Sequence, residues 1–236
     1  MKLQTNEGKL YPEDPFDFKQ SLNFIDMFLP SENEYLIEDL SLTKAIHLDG
    51  QTVAFKLNSV GTVEKPVLNY KFYGYKLDNK LQTDLVDRIN FFLSLDDYLK
   101  PFYQYASHDE SFNKVVDESY GLHQVKFLTP FEAAGWAVLS QRIPMKVANK
   151  MKENLTKSVG NKINLDGQDY WAFPSPDQIL NLDLDHRQPH NPRLRRQPNL
   201  CRCLDGSVPC FVARPMKRSP RLRKTAKTAT TSQLML

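Results

Sequence analysis

Apolar and polar positions change their period once along this chain. Residues 45–48 and 52–57 alternate at a period of two and flank Asp49-Gly50, the pattern of a β-hairpin. Residues 67–77 alternate again, with Leu68, Tyr70 and Phe72 set against Asn69, Lys71 and Tyr73, and Gly61 and Pro66 punctuate the loop before them. These runs predict a small antiparallel sheet with one face packed and one wet. Upstream, residues 1–20 are polar with Tyr11, Phe16 and Phe18 as anchors, and residues 21–29 fit a strand or a short helix equally well.

From Leu81 the period becomes helical: Leu81, Leu85, Ile89 and Phe92 share one face. A turn over 93–97 leads to two short helices over 98–105 and 111–118, the first rich in aromatic residues. Residues 129–160 then read as two helices in succession. Thr129 is an N-cap, Pro130 sits at the first helical position, and Glu132 stands where a capping box would place it. The first of these helices, with Phe131, Ala134, Trp136 and Val138, is apolar on most sides and so is expected to be buried among other helices. Gln141-Arg142-Ile143 interrupts it, and Pro144 opens the second helix. There Val147, Ala148, Met151 and Leu155 form the apolar face, and Lys152 is assigned to the exposed side. Residues 161–176 read as a loop, and a last helix begins at Asp177.

Several of these pieces carry a resemblance. Pro130-Phe131-Glu132-Ala133, then Trp136-Ala137-Val138-Leu139-Ser140-Gln141, then a short break before an amphipathic helix, resembles the core of the helix–hairpin–helix DNA glycosylases. The 3-methyladenine DNA glycosylase II group is the nearest in pattern. Tyr170-Trp171-Ala172-Phe173-Pro174-Ser175-Pro176 is similar to a segment that follows in that group, and 95–103 and Tyr120-Gly121-Leu122 also fit. The resemblance covers roughly residues 80–184. It implies an α+β fold: a small antiparallel-sheet N-terminal domain over 1–78, then an incomplete all-helical glycosylase domain over 79–185. The implied function is excision of alkylated bases in base excision repair, on double-stranded DNA with damaged bases, with no cofactor. The alternatives are a non-enzymatic DNA-binding remnant and an unrelated helical interaction module.

Charge separates a third part. Residues 1–185 hold 17 Lys, 2 Arg and 27 acids, a net charge of −8; residues 186–236 hold 3 Lys, 9 Arg and one acid, a net of +11. All three cysteines lie in this last part, as Cys201, Cys203 and Cys210. Their spacing is not that of a zinc site, so no metal is expected. A basic arm or nuclear address around Lys217-Arg218 is one reading. The abrupt switch after Asp185 points instead to a reading-frame change, with a disordered tail as its product. No apolar run reaches the length of a membrane span, and none follows Met1 as a secretion signal. A monomer in the cytoplasm, or in the nucleus of a eukaryote, is expected.

Extruding a base from a duplex needs a side chain to fill the gap and a pocket to stack the base. The resemblance places the filling residue in Gln141, Arg142 and Ile143, the DNA-binding candidates here. Trp136 is the base-pocket candidate, though core packing is the better expectation for it, as for Tyr98, Phe102, Tyr103 and Tyr105. The resembled family also carries a Gly-x-Gly hairpin that holds phosphate and, further on, a catalytic Asp. No two glycines of this chain stand two apart. No residue is therefore assigned a catalytic role, and the chain is expected to be catalytically incomplete. His47, His108 and His123 are expected at surface or satisfied positions.

Overall fold

The computed structural model describes residues 2–32 and 34–181, and the basic 186–236 segment with its cysteines lies outside them. The described residues are α+β. Five strands, β1 (Gln4–Leu10), β2 (Tyr35–Glu38), β3 (Ser41–Leu48), β4 (Gln51–Ser59) and β5 (Leu68–Gly74), form an antiparallel sheet in the order β1-β5-β4-β3-β2. Asp49 and Gly50 close β3 onto β4 with left-handed backbone, as the sequence predicts, so that Leu48 pairs with Gln51.

Strand alternation divides the sheet's two faces. Leu42, Ile46, Val53, Phe55, Leu57, Leu68 and Phe72 point to one side. There they meet α1 (Phe18–Met27), through Phe18, Leu22 and Ile25, and α2 (Asn79–Leu93), through Leu81, Leu85, Ile89 and Phe92. The ambiguous run over 21–29 is thus mostly helix, begun by Asp17, whose carboxylate caps Lys19 and Gln20.

The opposite face is not wet, as alternation alone suggested. It is covered by a second hairpin, β6 (Asn161–Leu165) and β7 (Gln168–Ala172), in the stretch read as a loop. Ile163, Leu165, Tyr170 and Ala172 pack on Ala45 and Ala54, which pair across β3 and β4. Two alanines side by side leave the space the hairpin fills. Its turn, Asp166-Gly167, has φ of 50° and 90°. Gly167→Ala is expected to lower stability by about 1–2 kcal/mol, the cost of a left-handed non-glycine residue, read as a melting shift.

The remaining helices are α3 (Lys100–Ala106), α4 (Glu110–Glu118), α5 (Pro130–Leu139), α6 (Met145–Val159) and α7 (Pro176–Leu180). Among the described residues their burial departs from the apolar pattern in three ways. On α5, Phe131, Trp136 and Val138 are only half-buried, and Ala134 is exposed. On α6 the buried positions are Ala148, Lys152 and Thr156, one residue out of step with Val147, Met151 and Leu155, which are half-buried. On α3 and before it, Tyr98, Phe102 and Tyr105 are 59%, 49% and 82% exposed, not core. His123, by contrast, is buried with its Nδ1 2.6 Å from the Ser94 carbonyl and Nε2 3.0 Å from the Pro15 carbonyl, a satisfied position. His47 is half-buried beside the Thr52 hydroxyl, and His108 lies against the Gln104 carbonyl.

Candidate functional site

The turn between α5 and α6 has a cause at each end. Thr129 caps α5 by accepting from the Glu132 amide at 3.1 Å. Pro144 cannot continue a helix from its N-terminal side, and it sets φ for the start of α6. Between them Gln141 and Arg142 are exposed and Ile143 is half-buried. Arg142 has φ of 56°. A left-handed arginine costs about 1–2 kcal/mol and persists where its surroundings impose it, which is a feature of binding loops. Arg142→Gly is accordingly expected to raise thermal stability slightly, as seen in a melting curve, while removing the guanidinium.

Behind that turn α6 carries a line of cations that the sequence reading passed over. Lys146, Lys150 and Lys157 recur at helical spacing on one face, and all are exposed. Glu153 sits in the same line and receives Lys150 and Lys157 at 2.7 Å each. Their hydrogen bonds hold its carboxyl below the usual range. The positive end of the α6 dipole lies at Met145 and Lys146, next to Arg142. The loop and helix thus present a basic edge, led by Arg142 and Lys146 and partly neutralised where Glu153 holds Lys150 and Lys157. Trp136, half-buried on α5, belongs to neither hydrophobic cluster and lines neither of the two cavities described next.

Beneath the edge lies a buried ion cluster. The Lys152 ammonium donates to Glu34 Oε1 at 2.5 Å, to Glu132 Oε1 at 2.7 Å and to the Pro30 carbonyl at 2.9 Å. Lys44 donates to Glu34 Oε2 at 2.9 Å. Phe127 and Phe173 close over the ammonium, with ring centroids 5.6 and 5.5 Å away. Glu132 therefore serves Lys152, where the capping box would have turned it back on the helix end. The expectation that Lys152 faces solvent is wrong for the same reason: its side chain is fully buried. The cluster joins β3 through Lys44 and the 29–34 segment through Glu34 to α5 and α6. It also brings Glu132 and Phe173, residues of the resemblance, to one lysine, and Phe173 in turn packs on Phe131 with ring centroids 6.1 Å apart. Beside it are two shallow hollows with room for little more than a water, one walled by Phe24, Phe28, Tyr35 and Phe127 and a smaller one near His47. Glu132 and Lys44 border both.

The two carboxyls differ. Burial pushes the Glu132 carboxyl up, and Lys152 does not fully offset it. Burial also opposes ionisation of Glu34, but Lys44 and Lys152 together outweigh it and hold the group below its usual range. A lowered folded value stabilises the protein above the unfolded pKa, and that contribution is lost as pH falls through the folded value. Glu34→Gln is therefore expected to cost more stability at neutral pH than Glu132→Gln. The difference should shrink as pH falls below the usual carboxylate range, measured by chemical denaturation across pH.

Comparison with known proteins agrees with this architecture. No family model matches the chain. A DNA-3-methyladenine glycosylase of Bacillus subtilis is 27% identical over 169 residues, which is 71% of this chain and 54% of the relative. The chain thus spans about half the length of the curated relative it matches. A 3-methyladenine DNA-glycosylase from Archaeoglobus fulgidus superposes with a TM-score of 0.65 at 17% identity, over 85% of this chain and 66% of that one. MBOgg1, solved in complex with a low-affinity DNA ligand, superposes with a TM-score of 0.54 at 18% identity, over 88% and 64%. The described residues thus share the fold of these DNA glycosylases over the part of them that this chain covers. The sequence likeness to a 3-methyladenine glycosylase agrees with the resemblance read from the motifs.

Proposed function

We propose that this chain engages double-stranded DNA at a damaged, alkylated base, as the lesion-holding part of a 3-methyladenine-type DNA glycosylase. In this reading the sheet and the β6–β7 hairpin brace α5 and α6, and residues 141–143 enter the duplex where the base is missing or displaced. The observation that carries it is Arg142, exposed in a left-handed turn at the head of the cationic edge of α6. The relatives' names and the DNA-bound neighbour support the substrate class.

The test compares binding of the full chain to a duplex with one abasic site and to the same duplex intact. The abasic duplex should bind more tightly, with affinity falling steeply as salt rises. Lys146→Ala should reduce the salt slope by about one phosphate's worth, roughly 0.9 in log K against log salt. Equal affinity for both duplexes would leave a lesion-blind DNA-binding remnant. No affinity for either would leave a helical interaction module.

A further inference from the structure

Glu132 and Lys152 stand 20 residues apart in sequence, and Arg142 is the residue midway between them. Each lies about two helical turns back from the helix end that borders the 140–144 turn, Glu132 on α5 and Lys152 on α6. Their 2.7 Å bond therefore closes a hairpin with arms of equal length and Arg142 at its tip. Little else on α5 is enclosed: among the described residues its buried positions are Glu132 and Leu139. Further ties hold α6, from Lys152 to Glu34 and the Pro30 carbonyl, and from Asn149 to Glu32 at 2.9 Å. Thus α6 is fixed to the 29–34 segment, and this ion pair ties α5 to α6. Phe173 covers the pair, seated against Gly135, where a Cβ would stand 3.1 Å from the ring. A charge-assisted bond kept from water is strong and directional.

Arg142, with φ of 56°, is the strained residue of that tip. Strain of this kind persists only where the surroundings over-determine it. We infer that the buried Lys152–Glu132 bond is a positioning lock for Arg142. By fixing where α5 ends relative to where α6 begins, it imposes the left-handed turn, and so sets the direction in which the guanidinium is presented to DNA. The presentation to DNA rests on the function proposed above; the imposed turn does not.

The test uses the full chain, the unlocked pair Lys152→Met with Glu132→Leu, and Arg142→Gly in each background. Arg142→Gly should raise the melting temperature of the parent and leave that of the unlocked chain unchanged. The effect of glycine on the unfolded chain is the same in both backgrounds and cancels in the comparison. In binding, the unlocked chain should lose about tenfold in affinity for an abasic-site duplex, and with it the preference over intact duplex. Its affinity for intact duplex and its salt slope should stay as in the parent, because the deleted pair is neutral and the exposed cations are untouched. Adding Arg142→Gly to the unlocked chain should cost no further affinity. Ile89→Val, buried on α2, weakens the core mildly and should keep the preference, which separates positioning from lost stability. Should the unlocked pair melt too low to assay, the isosteric Glu132→Gln should lower the preference by about threefold or more. Equal melting gains from Arg142→Gly in both backgrounds would overturn the lock. An abasic preference lost in Arg142→Gly but kept in the unlocked chain, or in Glu132→Gln, would overturn it with the DNA reading intact. No preference in the parent would overturn the DNA reading and the presentation of Arg142, while the melting comparison still decides whether the lock imposes the turn.

Discussion

Replacing Lys152 with alanine is expected to lower stability by about 3–5 kcal/mol, the cost of breaking a buried ion pair from one side. For a domain of this size that is a melting shift of roughly 6–20 °C. The argument is in the geometry. Lys152 reaches two carboxylates and a carbonyl, and it is fully buried between two phenylalanine rings. Without it Glu132 has no cation, and Glu34 keeps only Lys44. Lys152→Met fills the space but leaves the same charges, so it should be nearly as damaging. Lys152→Met with Glu132→Leu removes both partners and should recover most of the loss, because apolar replacement of a whole buried pair is often neutral. Denaturant melts of the three variants measure this. A loss below about 1 kcal/mol for Lys152→Ala, the value of a surface pair, would show that the lysine is solvated.

The second expectation is that this chain releases no base from alkylated duplex DNA. Cleaving the glycosidic bond builds positive charge on the sugar, and a nearby carboxylate must meet it. The resembled family carries that group after a Gly-x-Gly hairpin, a spacing absent from this sequence. The acids near the cationic edge do not replace it. Glu132 and Glu34 are buried against lysines, and Glu153 bridges Lys150 and Lys157. Loss of one such electrostatic stabiliser commonly costs about a hundredfold to a thousandfold in rate, and here the phosphate-holding hairpin is missing too. Purified full chain incubated with alkylated duplex should yield abasic sites at the no-protein rate. Excision above that rate would mean that an acid in this chain does the chemistry.

Sequence pattern reached some parts of this fold and not others, for reasons that lie in particular residues. The β3–β4 hairpin and α2 were legible because Asp49-Gly50 and the face of Leu81, Leu85, Ile89 and Phe92 are local signals. The β6–β7 hairpin carried the same signal, Asp166-Gly167 between alternating Ile163, Leu165, Tyr170 and Ala172, and was hidden by the neighbouring proline-rich stretch. β1 was obscured because Gln4–Leu10 buries only Leu10 and is otherwise a polar edge. Lys152 could not have been read correctly from α6 alone. A lysine on an amphipathic helix belongs on the wet side unless carboxylates wait inside, and here they come from 20 and 118 residues away. The aromatic residues of α3 were assigned to a core by composition, whereas exposure depends on what packs over them. The stripe of Lys146, Lys150 and Lys157 was present in the spacing and needed only the turn at Arg142 to give it direction.

The most direct measurement is the affinity of the full chain for an abasic-site duplex with Arg142 intact, Arg142→Gly and Lys76→Ala. Lys76 is an exposed cation in the connection between β5 and α2. The glycine variant keeps the left-handed backbone and loses only the side chain. It should melt no lower than the parent and yet lose about tenfold or more in affinity for the abasic duplex, with its preference over intact duplex gone, since a guanidinium engaging a phosphate or an orphaned base contributes more than a surface charge. Lys76→Ala should change little. Equal, small losses from Arg142→Gly and Lys76→Ala would contradict the account, because only the chain's overall charge would then be holding the DNA.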